Sequence, residues 1–342
     1  MAQAALIFLF GALFGWIIQY AELNKFDTIS GQSDATDNRV VKTILLAIGL
    51  GAILLALLTG AGLAGFHIKP FIAGGLIIGG LIFGSGMAIL GYCPGTLAVS
   101  AGEGAIDALI GIAGGLSGGW LFSIAFPFIK PWLGPNEGKL SLFGLFGNYS
   151  AGYYIITIII GLLLIFLAFK IKSKKGTQTG KWIMAGILLA VLEAIVFLHQ
   201  TTGRPIGAST SYPYLADVIT GTTSGTYFQK IAKPGHWEVI FLTGALLAAL
   251  IASLAKKKFS FTLIHPRWAE YKGNDASKRI FWAFTGGFLL IFGARMAGGC
   301  TSGHILSGGM QLAFGSLFFA VFVFIGLIVT GRIFYNRKAF KK

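Results

Sequence analysis

The sequence predicts an all-α polytopic membrane protein with about nine transmembrane helices and short re-entrant helices. Of its 342 residues, 55% are hydrophobic and only 11% are charged, and apolar stretches of about 20 residues recur along the chain. The mean hydropathy of +0.77 is too high for a soluble globular domain. We therefore expect a single membrane domain over residues 1–342. The predicted spans are 3–20, 43–66, 70–92, 104–126, 151–171, 182–200, 236–255, 280–299 and 310–331.

Two of these regions need a specific interpretation. The first stretch has no basic residues before it and no small-residue cleavage site after it, so we interpret it as a retained helix and not as a signal peptide. The stretch 205–228 is rich in Thr, Ser, Gly and Pro, and we interpret it as a broken or re-entrant segment.

The basic residues predict the orientation, because Lys and Arg accumulate in cytoplasmic loops. With nine crossings and the C-terminus in the cytoplasm, the inner loops hold 20 of the 27 basic residues and the outer loops hold six. Arg295 lies inside a predicted span. The net charge of +15 is therefore mainly a topology signal, and charges spread over short loops do not form a nucleic-acid-binding patch.

The only two cysteines lie in a duplicated, glycine-rich element. The first copy is G-Y-C-P-G-T, from Gly91 to Thr96, and the second is G-G-C-T-S-G-H, from Gly298 to His304. Each copy follows the run F-G-x-x-M-A inside an apolar stretch. In the predicted topology the copies run in opposite directions, which indicates inverted repeats over 1–150 and 182–342 with 151–181 as connector. The thiols of Cys93 and Cys300 would then approach each other near mid-membrane.

Broken helices of this kind favour an anion. A helix that restarts directs free N–H groups and a positive dipole end into the cavity, and a thiol at such an end is polarised and suits a soft sulfur atom. Inert packing of the cysteines and a disulfide between them are the alternatives. The candidate substrate-binding residues are Cys93, Cys300, Gly91, Pro94, Gly95, Thr96, Arg295, Gly299, Thr301, Gly303 and His304.

Several ionisable residues inside the spans are open to two interpretations. Arg295 would attract the anion or pair with Glu103 or Asp107, and His304 would bind substrate or cap the restarted helix. Glu193 would relay protons or pair with another helix. The cysteines and His304 lack the spacing of a metal site, and no phosphate-binding loop occurs, so we expect no cofactor.

The stretch F-G-A-R-M-A-G-G-C-T-S-G-H-I-L-S-G, from Phe292 to Gly308, closely resembles the signature of the YeeE/YedE sulfur-transport family. The motif from Gly91 to Thr96 resembles its first-half counterpart. The resemblance implies an importer of thiosulfate or a related sulfur compound in the inner membrane, with inverted repeats and an hourglass shape. It also implies that Cys93 and Cys300 line the central constriction and pass the substrate along through S–H hydrogen bonds, and that small cytoplasmic TusA-like sulfur carriers are partners.

The chain departs from that pattern after the first helix. Family members that import thiosulfate commonly carry a further cysteine there, whereas this chain has Glu22-Leu23-Asn24-Lys25. Either this polar stretch substitutes for the thiol, or the substrate is polysulfide, sulfite, sulfide or a selenium species. A membrane-embedded thiol redox or sulfurtransferase enzyme and a passive pore are the other hypotheses.

Overall fold

The computed structural model describes residues 2–172 and 180–336, in which the regular elements are helices. The α-helices are α1 Ala2–Tyr20, α2 Phe26–Ser30, α3 Arg39–Gly60, α4 Ala73–Leu90, α5 Pro94–Gly102, α6 Ile106–Ile129, α7 Leu142–Phe146, α8 Ala151–Lys170, α9 Lys181–Phe197, α10 Ser211–Thr220, α11 Thr226–Ala255, α12 Pro266–Lys272, α13 Ala276–Met296, α14 Ser307–Met310 and α15 Phe314–Phe334. A π-helical turn, Thr301–Leu306, leads into α14.

Eight helical stretches of the described residues are long and apolar enough to cross a membrane. Two of them, Ala73–Gly102 and Ala276–Met310, contain the cysteine breaks. The remaining predicted span, 182–200, corresponds to α9. This helix has 17 residues, which is at the short end for crossing a hydrocarbon core. The chain is therefore an all-α, multi-pass membrane protein.

The broken segment predicted at 205–228 is shorter than expected. It contains an irregular stretch and then α10, whose 10 residues are too few to cross a membrane. Its last residues instead begin α11, a helix of 30 residues that starts at Thr226 and not near 236. The boundary was predicted too late because Gly235 and Pro234 lie inside this helix and resemble a helix start.

The connecting loops form two groups at opposite ends of the helix bundle. At one end, three backbone hydrogen bonds join loops that are distant in sequence. The N–H groups of His199, Phe71 and Phe314 donate to the carbonyl oxygens of Leu63, Gly138 and Leu140, respectively. We call this the Lys69 end. At the other end, which we call the Glu103 end, Lys25 pairs with Glu103, Arg267 pairs with Asp34, and Thr262 bonds to Gly104.

The long helices pack in matching pairs. Helix α4 packs against α13 and α15, while α13 also packs against α6; α1 packs against α11, and α9 packs against α3. Each contact has a counterpart if α1, α3, α4 and α6 correspond to α9, α11, α13 and α15. We therefore propose that 1–150 and 182–342 are inverted repeats joined by the connector 151–181, which contains α8.

Six of the basic residues used to predict the orientation lie outside the described residues, namely Lys174, Lys175, Arg337, Lys338, Lys341 and Lys342.

Glycines let the central helices approach each other closely, as the spacing of small residues predicts. A Cβ atom at Gly79 in α4 would lie 2.7 Å from the carbonyl oxygen of Gly293 in α13, and a Cβ at Gly293 would lie 2.7 Å from that of Gly79. These backbones have no room for a side chain. Because α4 and α13 each end at a cysteine break, their crossing fixes the relative position of the two breaks.

We expect Gly79→Ala to destabilise the protein, because the added methyl group would push α4 away from the backbone of α13. The cost should be about 1–3 kcal/mol, the usual range for overpacking a tight contact. Thermal unfolding in detergent should show a lower Tm. Gly180→Ala is the control, since a Cβ there meets no atom of the described residues within 4 Å. An equal Tm for both variants would contradict the tight crossing.

Candidate functional site

The first break begins where α4 ends at Leu90. Gly91 adopts φ +80°, a left-handed conformation that favours glycine, and the ring of Phe26 occupies the space that a side chain would need. The chain restarts as α5 at Pro94, a residue suited to the first position of a helix. Cys93 precedes it, and its backbone N–H donates to Oγ1 of Thr96 over 2.8 Å.

The second break begins where α13 ends at Met296, and Gly298 adopts φ +75°. The chain restarts as the π-helical turn at Thr301. His304 closes the break, because its two ring nitrogens lie 2.9 Å from the carbonyl oxygen of Ala297 and 2.9 Å from Oγ of Ser316. These contacts favour the capping role that the sequence left open for His304.

The thiols have similar polar neighbours. The hydroxyl of Thr96 lies 3.3 Å from Sγ of Cys93, and the hydroxyl of Ser302 lies 3.2 Å from Sγ of Cys300. Both cysteines are free, so the disulfide considered from the sequence does not form. Each thiol therefore has a hydroxyl group within reach that can orient its S–H bond.

Cys93 lines a cavity, which we call the Cys93 cavity. The second break contributes Thr301 and Ser302 to the same lining, so the cavity brings the two motifs together. Leu23, which follows α1, and Gln32, which follows α2, place it toward the Glu103 end. Most of the remaining lining is aliphatic or aromatic. Of the predicted site residues, this cavity is lined by Cys93, Gly95, Thr96 and Thr301.

A second cavity, of about 510 Å³, lies toward the Lys69 end, and we call it the Lys69 cavity. Its lining contains four cationic side chains and one carboxylate: Lys69, Arg204, Lys230, Arg295 and Glu238. The predicted residues Arg295 and Gly303 lie here. The excess of positive charge makes the cavity a suitable site for an anion.

Sequence reasoning missed three of the cations in this cavity. Lys69, Arg204 and Lys230 were counted as loop charges because they form no motif and Lys69 is far from the other two in sequence. In the structure Lys230 lies in α11. The fold brings them together. Nζ of Lys69 donates to the carbonyl oxygen of Gly298 over 3.0 Å, and its position leaves no space for a side chain on Gly299.

Arg295 is not paired with the carboxylates considered from the sequence. Its Nη1 donates to Oγ1 of Thr210 over 2.7 Å, whereas Glu103 and Asp107 lie at the opposite end of the bundle with other partners. The expected pairing was wrong because Glu103 and Asp107 follow the first break toward the Glu103 end, while α13 carries Arg295 to the Lys69 end. Arg295 therefore keeps its charge available to the Lys69 cavity.

The second break lies between the two cavities, and we call the residues that separate them the wall. Gly298 and Gly303 face the Lys69 cavity, while Thr301 and Ser302 face the Cys93 cavity. Cys300, only 1% exposed, lies between them. The hydroxyl of Tyr212 donates to the carbonyl oxygen of Pro94 over 3.0 Å and ties α10 to the first break. The wall is thus the place where both breaks meet.

Comparison with known proteins identifies the family of the chain. A family model described as sulphur transport matches residues 27–329. The chain belongs to the sulphur transport family. The thiosulfate transporter TsuA of Spirochaeta thermophila (strain ATCC 700085 / DSM 6578 / Z-1203) is 27% identical, over 96% of this chain and 98% of the relative. The thiosulfate transporter TsuA of Escherichia coli (strain K12) is 23% identical, over 96% of this chain and 93% of the relative. The chain is thus a transporter and not an enzyme.

In this transporter, buried charges support the first break from the Glu103 end. Arg279 donates to the carbonyl oxygen of Leu90 over 2.8 Å and pairs with Asp107. Both side chains are 0% exposed. Asp107 also accepts hydrogen bonds from Tyr92 and lies 3.1 Å from Nε2 of His265. The network supplies a hydrogen-bond donor to the last carbonyl group of α4 and fixes the side chain of Tyr92, the residue next to Cys93.

The stretch that replaces the family's further cysteine has two faces. Leu23 lines the Cys93 cavity. Nδ2 of Asn24 and Nζ of Lys25 instead donate to Oε2 of Glu103, over 2.6 and 2.7 Å. These two residues line a separate pocket at the Glu103 end. Asn24 and Lys25 therefore do not line the Cys93 cavity. The side chain of Leu23 gives the cavity an apolar contact instead.

We expect Asp107→Asn to destabilise the transporter by about 3–5 kcal/mol, because it leaves the buried Arg279 without its counter-charge. The change in the free energy of unfolding is measured in detergent, with the loss of tertiary structure as the signal. The double variant Asp107→Leu with Arg279→Met removes both charges and should recover much of the loss. If Asp107→Asn unfolds like the unaltered protein, the pair does not support the break.

Proposed function

We propose that this transporter imports thiosulfate, or a closely related small sulfur anion, through the wall between the two cavities. The observation that carries the proposal is the order of the chemistry along the bundle. The cation-rich Lys69 cavity comes first, the free thiols of Cys300 and Cys93 lie at the wall, and the mainly apolar Cys93 cavity follows. The relatives named thiosulfate transporters, which match nearly the full length of the chain, support the same substrate.

The first step is capture of the anion in the Lys69 cavity. Lys69, Arg204 and Arg295 offer N–H donors to the oxygen atoms of the anion, and cations in a partly buried cleft attract anions more strongly than exposed ones. Glu238 already pairs with Arg204 over 3.6 Å, so it reduces the excess charge without removing it. This balance favours binding that is strong enough for capture and weak enough for onward movement.

The second step is passage along the thiols. A sulfur atom accepts weak S–H hydrogen bonds, and the soft terminal sulfur of thiosulfate suits Cys300 and then Cys93. The neighbouring hydroxyls of Ser302 and Thr96 can bind its oxygen atoms. No covalent bond is needed, because the thiols only replace part of the hydration that the anion loses. The free N–H groups at the start of α5 add a positive dipole end beside Cys93.

The last step is release from the Cys93 cavity. The described residues of its lining include no Lys, Arg, Asp or Glu, so the cavity offers little to hold a dianion. The anion then moves toward the Glu103 end. Weak retention on this side and strong capture on the other favour movement in one direction when the anion is consumed after release.

We propose that the Lys69 end is extracytoplasmic and that the protein lies in the inner (plasma) membrane. The greater number of basic residues in the loops of the Glu103 end supports this orientation. The N-terminus is then outside and the C-terminus is in the cytoplasm. A small TusA-like carrier would take up the sulfur at the Glu103 end, where Lys25 and Lys258 line a pocket.

We expect Cys93→Ala and Cys300→Ala each to reduce uptake of radiolabelled thiosulfate into proteoliposomes by at least about tenfold. The loss of one S–H contact at the wall raises the transport barrier, and about 1.4 kcal/mol corresponds to that factor. Ser117→Ala is the control, because Ser117 bonds only within α6 at an exposed position. Undiminished uptake by both cysteine variants would overturn the thiol mechanism. Absence of uptake by the correctly inserted unaltered protein would overturn the substrate.

The charge of Lys69 should make capture depend on pH. Burial, together with the nearby Arg295, lowers the pKa of Lys69 to about 8. Lys69 is therefore charged below that pH and becomes neutral as the pH rises through it. The KM for thiosulfate should increase over that interval as the pH outside the Lys69 end is raised.

Two variants test this assignment. Lys69→Arg keeps its charge up to much higher pH, so its KM should stay flat across the same interval. Lys69→Met should raise KM about tenfold at neutral pH, the equivalent of about 1.4 kcal/mol of binding. A KM that rises with pH in Lys69→Arg as it does in the unaltered protein would assign the effect to another group.

A further inference from the structure

Glu193 is a buried carboxyl group that takes no part in the capture, passage or release of the anion described above. It lies in α9 and is 0% exposed. Oε1 accepts a hydrogen bond from the backbone N–H of Ile206 over 3.2 Å. Oε2 is buried and makes no hydrogen bond to any of the described residues. An ionised carboxylate with one unsatisfied oxygen is costly away from water, so this environment favours the uncharged acid.

The position of Glu193 relates it to both cavities. Leu189, one helical turn earlier in α9, lines the Cys93 cavity, and Ile206 lines the Lys69 cavity. The hydroxyl of Ser307 lies beside the carboxyl group and donates to the carbonyl oxygens of Ile206 and Ser302. The carboxyl group therefore lies in the wall that the anion must cross.

The charged and titratable groups around Glu193 are few. The nearest cation is Arg204, which is already engaged by Glu238 and lies over the ring of Trp237. Helices α1 and α3 pack against α9. Of Asp, Glu, Lys, Arg, His, Cys and Tyr, α1 carries only Tyr20, and α3 carries only Arg39 and Lys42, all near the Glu103 end. The second break contributes Cys300 and His304, and the ring nitrogens of His304 are engaged elsewhere.

We propose that Glu193 is the proton-binding site of transport, and that a proton on its carboxyl group accompanies each anion across the wall. This inference rests on the proposed function. A carboxylate beside the path of a dianion in a region of low dielectric would repel it strongly. The protonated acid removes that repulsion, and its O–H can donate to Ser307. The anion therefore crosses only when Glu193 is neutral.

The proton enters from the Lys69 cavity and leaves into the Cys93 cavity. Binding converts the carboxylate to the acid without any other change in bonding, and release returns it. Net inward movement of one proton with each dianion lowers the charge that has to be moved against an inside-negative membrane potential. The carbonyl oxygens and hydroxyl around Glu193 are the kind of groups that bind coupling ions at broken helices.

Proteoliposomes that contain a pH-sensitive dye test the proposal. The external pH is kept at or below about 7, where Lys69 remains charged. For the unaltered protein we expect thiosulfate addition to acidify the lumen, and an acid-outside gradient to increase accumulation. Glu193→Gln keeps the acceptor for Ile206 but cannot carry a proton. It should allow downhill uptake with no luminal acidification and no increase with the gradient.

Asp217→Asn is the matched control. Asp217 is also 0% exposed, but Ser123 and Thr222 satisfy its carboxyl group, so this variant should retain both proton effects. Glu193→Asp, which still titrates, covers the case in which the Gln variant does not fold. It should keep the proton effects with a shifted pH profile.

Two outcomes would overturn the inference while leaving the proposed function intact. In one, the unaltered protein accumulates thiosulfate without any luminal acidification, or only when sodium is present. In the other, Glu193→Gln keeps the proton effects. If the unaltered protein transports no thiosulfate, the proposed function fails, and infrared spectroscopy decides on Glu193 separately. A band of a protonated carboxylic acid near neutral pH that disappears in Glu193→Gln supports the proton site, and its absence overturns it.

Discussion

The structure depends on one constraint, the need to satisfy every backbone group where a helix is interrupted inside the membrane. Two helices end just before Gly91 and Gly298, and the chain becomes helical again directly after Cys93 and Cys300, so each interruption frees N–H and carbonyl groups inside the bundle. Charged side chains meet much of this need. Lys69 and Arg279 donate to carbonyl oxygens at the ends of α13 and α4, and Glu193 accepts from the N–H of Ile206.

The same requirement explains the irregular chain before α10. Glu238 accepts from the backbone N–H groups of Thr210 and Ser211, at 2.6 and 3.3 Å, while Arg295 holds the side chain of Thr210. These groups keep a non-helical backbone in place within the wall. A charge in this protein therefore often has a structural and a functional consequence together, because the side chain that satisfies the backbone also sets the electrostatic potential of the neighbouring cavity.

The distribution of these charges makes the two cavities different. The Lys69 cavity collects cations from segments far apart in sequence, whereas the Cys93 cavity is lined mainly by apolar groups. The thiols lie at the boundary, where an anion would leave a region that stabilises charge and enter one that does not. A soft, polarisable contact is useful there, since it replaces part of the lost hydration without fixing the ion in place.

The amino-acid sequence determined the class of fold and the location of the breaks. The length and apolarity of the helices follow from the thickness of a bilayer, and Gly91, Gly298 and Pro94 mark where a helix cannot continue. The tertiary structure alone decided which charges meet. Lys69 and Arg204 gave no sequence signal because ionic contacts between distant loops have no periodicity. Asp107 and Arg279, in turn, form a buried pair because α6 and α13 pack side by side in the same direction, with their first turns together at the Glu103 end.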